Sequence, residues 1–512
     1  MSSCSSTETV RSWTANAAAR AALSCPANCG GGSGAPTAVR TSCIAAAFRF
    51  PTAPPGIQAL KTIRPRGAST RTISATAAAG SGAKMAAKFD NTASMLRSGT
   101  GRDAASPARN RTVNPSLSAV LRATPSNRSA GSTAVTWAPA LAAVKHVPVM
   151  DVGEGTEADF AKAGDVSGKL LLVHTKVLAT WADLFGEYEQ APAVIALAVK
   201  GKAKAIAFMA TRENDILYRH TNAVAGEIDK LPMLVIARED GERMARLLAS
   251  ANPLWADIAI PNHIGGPIKT WNVVAELRGS EKPNEFVILG AHLDSWELGT
   301  GALDNGCNAA LVIDALRAIK ASGLKPRRSI RFILFSGEEE GLIGSRMYSV
   351  AHRNELDNAA GVVIFDSGTG KTTGFSTGGR KDVAAAALPL LAPLEQFGAA
   401  KLTPSAESGT DHFDFMLEGV PTFVADQEEA NYLVNYHATS DTYDKVDFPQ
   451  LKKHVAEGAY LSFALANAAE RVGPRLGRAQ IEQSMREIHF DEELKSMGMW
   501  DDWESGKRGR VK

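Results

Sequence analysis

The sequence predicts an α/β protein: a mixed, mostly parallel sheet flanked by helices, preceded by a small mixed unit and an irregular basic region. Three observations carry this expectation. Beyond residue 270, short apolar runs alternate with amphipathic stretches, the sign of strands covered on both faces. Between 146 and 262, similar short runs are separated by charged turns. Before 146, no apolar period of either kind is sustained. The 512 residues suffice for two or three domains at roughly 100–200 residues each. With 45% apolar, 21% charged and 6% aromatic residues, a fibrous, collagen-like or wholly disordered chain is excluded. No run approaches ~18 uninterrupted apolar residues, so no membrane span is expected.

Residues 1–145 read as a low-complexity basic region, mostly irregular and rich in Ala, Ser, Thr, Arg, Gly and Pro. They hold 17 Lys and Arg against three acids (Glu8, Asp90, Asp103), whereas the remainder holds 39 against 51, so a net charge of +2 conceals two different compositions. The basic, acid-poor, Ser-rich start has the texture of an organelle transit peptide, and no apolar stretch of the secretory type follows the first Arg. The charges are dispersed and lack interleaved aromatics, so no nucleic-acid partner is expected. Gly30, Gly31 and Gly32 lack the preceding strand and following Lys of a phosphate loop. Cys4, Cys25, Cys29 and Cys43 lie here, leaving only Cys307 beyond, which excludes a disulfide framework there and argues against thiolate metal ligation.

In the 146–262 unit, residues 169–173 (KLLLV), 205–209 (AIAFM) and 233–236 (MLVI) read as strands. Residues 239–248 read as a helix whose first acids suit the positive end of its dipole. In the main unit, 263–475, strands are expected at 286–289, 330–335 and 361–365, with helices at 305–319 and 451–466. Residues 476–512 form a polar C-terminal tail in which Trp500 and Trp503 are the docking candidates.

Open α/β sheets place ligands beyond the carboxyl ends of their strands. Here the first strand runs into His292 and Asp294, the second into Glu338 and Glu339, and the third into Asp366. Asp304 opens the following helix and His437 lies in a loop near the end of the unit. This is a sulfur-free set of imidazoles and carboxylates suited to zinc or a related divalent metal. Singly, each has a bland explanation: Asp304 as a helix cap, the three consecutive Glu residues as a solvated helix start. Their joint placement at strand ends favours a metal site. Two cations a few Å apart repel, so a shared carboxylate and several anionic ligands are needed.

The blocks His292-Leu293-Asp294-Ser295-Trp296, Gly301-Ala302-Leu303-Asp304-Asn305-Gly306, Ser336-Gly337-Glu338-Glu339-Glu340-Gly341-Leu342, Asp366-Ser367-Gly368, Gly409-Thr410-Asp411-His412 and Tyr436-His437-Ala438-Thr439-Ser440-Asp441-Thr442 resemble those of the co-catalytic di-zinc exopeptidases (aminopeptidase and glutamate carboxypeptidase type), in particular the carboxypeptidase Q branch. The resemblance spans about 146–471. It implies a zinc exopeptidase-like domain at 263–475 and an inserted protease-associated-type domain at 146–262. It implies two Zn2+ per chain, bridged by Asp304, with His292 and Asp366 on one ion and Glu339 and His437 on the other. Asp294 would hold the His292 ring. Glu338 would be the general base toward a water between the ions. Apart from the resemblance, Trp296, Tyr432 and Tyr436 are candidates either to line a substrate pocket near the metals or to serve as packing elements, and Asp411 and His412 either to lie near the site or to form a helix cap with an exposed imidazole. The implied substrate is a dipeptide or short peptide cut at a chain end. A homodimer and a secreted or periplasmic location also follow from the resemblance, although no signal peptide stands at the start of this sequence. Such enzymes begin their catalytic domain before the inserted domain, and residues 1–145 do not show that pattern; GC-rich DNA translated in an unintended frame would give their composition.

Two rival readings stand beside this one. Gly374-Phe375-Ser376-Thr377-Gly378 matches the nucleophile elbow of a serine hydrolase, but no buried strand precedes it and no helix pattern follows Ser376 directly. A binding module that keeps the fold without catalysis is the other.

Overall fold

The computed structural model describes residues 110–511, apart from 115–119, 125–127, 131, 136–137, 219–227, 261 and 297. Seventeen strands are assigned among the described residues: β1 (Asn110–Asn114), β2 (Val120–Thr124), β3 (Arg128–Ala130), β4 (Ser132–Ala134), β5 (Leu141–Asp151), β6 (Leu170–Val173), β7 (Ala205–Met209), β8 (Met233–Ile236), β9 (Trp255–Ile260), β10 (His263–Ile268), β11 (Val273–Leu277), β12 (Lys282–His292), β13 (Arg328–Phe335), β14 (Ala359–Ile364), β15 (Thr372–Ser376), β16 (Leu402–Thr403) and β17 (Thr422–Gln427).

The main sheet has seven strands in the order β11-β13-β12-β14-β17-β15-β16. Its centre, β13-β12-β14-β17, is parallel throughout, while β11 and β15 join antiparallel, so the expected mixed, mostly parallel sheet is present. The central strands are apolar on both faces because helices cover both. On one face Val287, Leu289, Val363 and Phe365 pack with Leu311, Val312 and Ala315 of helix Cys307–Ser322 and with Val455, Ala459 and Leu465 of helix Phe448–Asn467. On the other, Phe286, Ile288, Ile333, Phe335, Val362 and Ile364 meet Tyr348 and Phe415. Register then positions the site: His292 stands opposite Phe335, and Gly290 opposite Ile364. Three parallel strands therefore end at one edge, where the loops bearing His292, Glu338, Glu339 and Asp366 begin.

The second sheet has eight strands, ordered β3-β2-β9-β5-β6-β7-β8-β4, with β5-β6-β7-β8 parallel. Helices Trp181–Lys200 and Arg238–Ala249 flank it. Its strands start earlier than the composition suggests: β2, β3, β4 and the first half of β5 lie within the region read as irregular, and β1 pairs with β10 in a separate ribbon. Runs such as VLRAT, RSA and STA are too short and too polar to show a period of two. VLRAT and STA become strands by pairing with β9 and β8, a non-local cause that a local pattern does not display, and RSA adds to the edge of β2. Residues 1–109, including the four early cysteines, lie outside the described residues. Cys307 is free and buried.

The tail docks as its tryptophans suggest. Trp500 and Trp503 are 4% and 1% exposed and pack with Phe413, Met416, Leu417 and Phe490. Arg508 then forms a buried two-pronged ion pair with Asp414, Nε and Nη2 each donating at 2.8 Å, and Arg510 N donates to Leu417 O at 3.0 Å. The polar tail thus clamps helix His412–Leu417. Among the described residues, no helix is long and apolar enough to cross a membrane.

Removing one partner of a buried ion pair strands the other's charge. Arg508→Ala is therefore expected to destabilise the fold by about 3–5 kcal/mol in denaturant titration; a loss below 1 kcal/mol would show that the tail is not part of the folded body.

Candidate metal centre

His292 closes β12 with its ring buried. Nδ1 lies 2.9 Å from the main-chain oxygen of Asp294. A carbonyl only accepts, so Nδ1 carries a proton, and Nε2 is the ring atom that would offer its lone pair to a bound cation. That atom stands 2.9 Å from Asp366 Oδ1 and 3.2 Å from Asp304 Oδ1. The other oxygen of Asp304, Oδ2, is 3.4 Å from His437 Nε2, which is itself 2.8 Å from Glu339 Oε2. Two donor triads converge in this way: His292, Asp304 and Asp366, and Asp304, Glu339 and His437. Asp304 belongs to both, one oxygen to each.

This geometry fits zinc. Donors about 2.0–2.1 Å from one tetrahedral ion lie about 3.3 Å apart, and the four contacts above run from 2.8 to 3.4 Å. Asp304 Oδ2, Glu339 Oε1 and Asp366 Oδ1 are buried without a hydrogen bond. Such atoms are costly unless a cation takes their lone pairs or a proton neutralises them. Burial pushes the carboxyls of Glu338 and Glu339 well above their usual range, with neighbouring acids adding to it and His292 opposing. Burial raises Asp366 too, against the pull of His292. For Asp304 burial acts the same way, but His292 and His437 overcome it and hold the carboxyl low. In His292 burial disfavours the charged ring, yet Asp366 and Glu338 outweigh it and raise the pKa; in His437 burial prevails and lowers it. The cluster has an excess of negative charge that divalent cations would balance.

Glu338 belongs to neither triad. Its Oε2 lies 4.0 Å from His292 Nε2, and its side chain is 11% exposed. Asp294 supports both acidic neighbours in a way the sequence does not suggest. Its carboxylate is 3.8 Å from His292 Nδ1, too far for the expected hydrogen bond, because the main-chain carbonyl already occupies that proton. The carboxylate instead accepts from Glu338 N and Glu339 N, each at 3.2 Å. The ring is held by Asp294's backbone and the Glu turn by its side chain.

His437 adopts φ +54, a left-handed conformation that costs a non-glycine residue of order 1–3 kcal/mol and recurs at functional sites. Trp296 meets its ring edge-on at 5.7 Å and Tyr436 stacks on it at 3.6 Å. Trp181, from the second unit, packs against Tyr436 and Tyr432 at 5.3 and 6.0 Å. These aromatics brace the loop that carries His437.

Asp411 is fully buried near His292, Asp366 and Asp294, and burial pushes its carboxyl up to about 8. It heads helix His412–Leu417 without making a side-chain cap. His412 does not join the site: it is wholly buried beside the backbone of Glu407 and Thr410, and burial pulls its pKa to about 3. Its ring is as enclosed as the carboxylate of Asp411, and the exposed imidazole expected as the alternative is not seen. The serine-hydrolase alternative has no structural partner either. Ser376 ends β15 buried, its Oγ hydrogen-bonds to no described residue, and the next helix begins only at Lys381. Asp441, four residues after His437, has no role that its sequence context suggests, yet its carboxylate accepts from the main-chain N–H groups of Leu303 and Asp304.

Residues 272–461 match the model of peptidase family M28. Carboxypeptidase Q of Rattus norvegicus is 30% identical over 243 residues, covering 48% of this chain and 51% of the relative. The chain thus spans about half the length of the carboxypeptidase Q relatives it matches. A probable leucine aminopeptidase 2 of Aspergillus fumigatus is 24% identical over 408 residues, 70% of this chain and 75% of its own. Among solved structures, a peptidase M28 precursor from Shewanella amazonensis shares the fold with a TM-score of 0.64 at 24% identity, covering 78% of this chain and 91% of that one. A zinc aminopeptidase from Bacillus subtilis does so with a TM-score of 0.52 at 19% identity, covering 76% and 92%.

If zinc occupies the two triads and the Asp294 carboxylate serves the Glu turn, Asp294→Ala should lower zinc affinity at the Glu339–His437 position about 10–100-fold and spare the other. Anomalous scattering from crystals grown at limiting zinc reads this; selective loss at His292–Asp366 would return Asp294 to the role of ring holder.

Proposed function

We propose that this chain, whose residues 272–461 match the model of peptidase family M28, is a zinc-dependent exopeptidase that holds two Zn2+ and hydrolyses dipeptides or short peptides at a chain end. The observation that carries the proposal is the shared carboxylate of Asp304, one oxygen turned to each donor triad. In this reading His292, Asp304 and Asp366 hold one ion, and Asp304, Glu339 and His437 the other. Zinc, when bound, supplies Lewis acidity toward the scissile carbonyl and the attacking water.

The chain's own groups do the rest. Glu338, buried and outside both triads, accepts the proton of the attacking water on its carboxylate and returns it to the leaving amine nitrogen. Glu339, one residue on, is taken up as a ligand, so the adjacent pair divides two tasks. Asp294 keeps them apart from solvent motion by gripping both backbone N–H groups. Its carbonyl fixes the His292 tautomer that presents a lone pair inward.

Preference for short substrates finds support in the second unit, which we assign as a protease-associated-type domain shaping access. Arg212 Nη2 donates to Tyr436 O at 3.0 Å, and Tyr218 forms a β-bridge with Ala438. With Trp181 against Tyr436, this unit closes over the His437 side of the centre. A catalytically silent binding module is the alternative; the presence of Glu338 alongside both complete triads favours turnover.

Three measurements test the proposal. Glu338→Gln should keep two zinc ions per chain yet lose about 10²–10⁴-fold in kcat; an unchanged rate would remove Glu338 from the mechanism. Chelation should abolish hydrolysis and added Zn2+ restore it, whereas full activity in a demonstrably metal-free sample would refute a zinc enzyme. Across dipeptides, aminoacyl amides and carboxy-blocked peptides, turnover should require a free chain end; equal cleavage of peptides blocked at both ends would exclude an exopeptidase.

A further inference from the structure

The loop that carries His437 also carries a carboxylate outside both donor triads. Asp441 is 4% exposed, and its side chain turns toward the bridging residue. Oδ1 accepts from Leu303 N at 2.7 Å and Oδ2 from Asp304 N at 3.0 Å. Those N–H groups need an acceptor from elsewhere. Asp304 and Asn305 have φ/ψ of −120/89 and −129/30, outside the helical region, so the turn Ala302–Gly306 lacks a regular ladder of its own. A buried N–H without a partner is costly.

The backbone of Asp441 holds the same segment. Its carbonyl accepts from Thr300 N at 2.7 Å and Thr300 Oγ1 at 3.2 Å. Gly299 shows how close the two chains run: a Cβ there would sit 2.6 Å from the carbonyl oxygens of both Ala438 and Asp441. From the opposite side the second unit braces the loop. Leu217 N donates to Thr439 Oγ1 at 3.2 Å, and Thr439 N donates to Leu217 O at 2.7 Å.

We infer that Asp441 is a positioning residue: by gripping the main chain of Leu303 and Asp304 it sets the direction in which Asp304 presents one oxygen to each triad. The inference rests on the two-zinc reading above. Asp304 Oδ1 and Oδ2 stand 3.2 and 3.4 Å from two different imidazoles, so turning its main chain carries an oxygen away from each. Loss of Asp441 therefore weakens both ions together, unlike loss of His437 or Asp366, which belongs to one.

The test measures zinc affinity for both ions by competition with a chelator in the wild-type chain, Asp441→Ala and Asp441→Asn, with melting of the metal-free proteins followed in parallel. Asp441→Ala is expected to bind both ions ten- to a hundred-fold more weakly. Asp441→Asn should fall between, because its amide oxygen keeps one acceptor. A role confined to folding would lower the melting temperature and leave affinity alone, and wild-type affinity in either folded variant overturns the inference. Weakening of one ion only also overturns it, since Asp441 would then serve the His437 loop and not the bridge. Should the alanine variant not fold, the asparagine variant decides by the same readout. A wild-type chain that binds fewer than two zinc ions sinks the two-zinc reading itself, and this inference with it, independently of the variants.

Discussion

The structure is organised around one electrostatic constraint. Four carboxylates and two imidazoles, from Asp304, Glu338, Glu339, Asp366, His292 and His437, are nearly withdrawn from water within a few Å of one another. Like charges at that spacing in a poorly solvated site repel strongly, and burial alone already pushes the acids toward their neutral forms. Protons or divalent cations must supply the balance. The parallel centre of the sheet serves this constraint by ending three strands at one edge.

Around the cluster, side chains hold the main chain at or beside several of these residues. Asp294 binds two N–H groups of the Glu turn, Asp441 binds two at the bridging turn, and Asn305 Nδ2 donates to Phe365 O at 3.2 Å. These contacts link β12 to the turn after β13, and the bridging turn to the ends of β14 and of the His437 loop. Ligands placed by such a mesh resist the repulsion that would otherwise spread them, which is the physical content of preorganisation.

The parts legible in the sequence were those with a local signature. Apolar runs ending in His292, Glu338 or Asp366 mark central strands and their chemistry together, and the residue types alone suggest zinc. What was hidden is non-local. Strands β2, β3 and β4 depend on partners more than 90 residues away in sequence or are too short to show a pattern. Asp294 stands two residues from His292, so a bond to the ring is the natural expectation; its real partners lie across the strand gap. Asp441 read as one polar residue in a polar block because the N–H groups it satisfies are exposed by a turn whose shape the sequence does not announce. His412 misled for the opposite reason: an imidazole beside a metal-rich motif suggests contact, and only packing shows it enclosed.

The order in which the cage residues occur along the chain has a consequence for translation. Residues 292, 304 and 366 leave the ribosome well before 437, and domains form as units while synthesis proceeds from the N-terminus. A nascent chain that has passed Asp366 owns one complete triad, whereas the other waits for a loop that must return to lie between the main sheet and a unit built long before. The second half of the cage is thus withheld until most of the polypeptide has emerged.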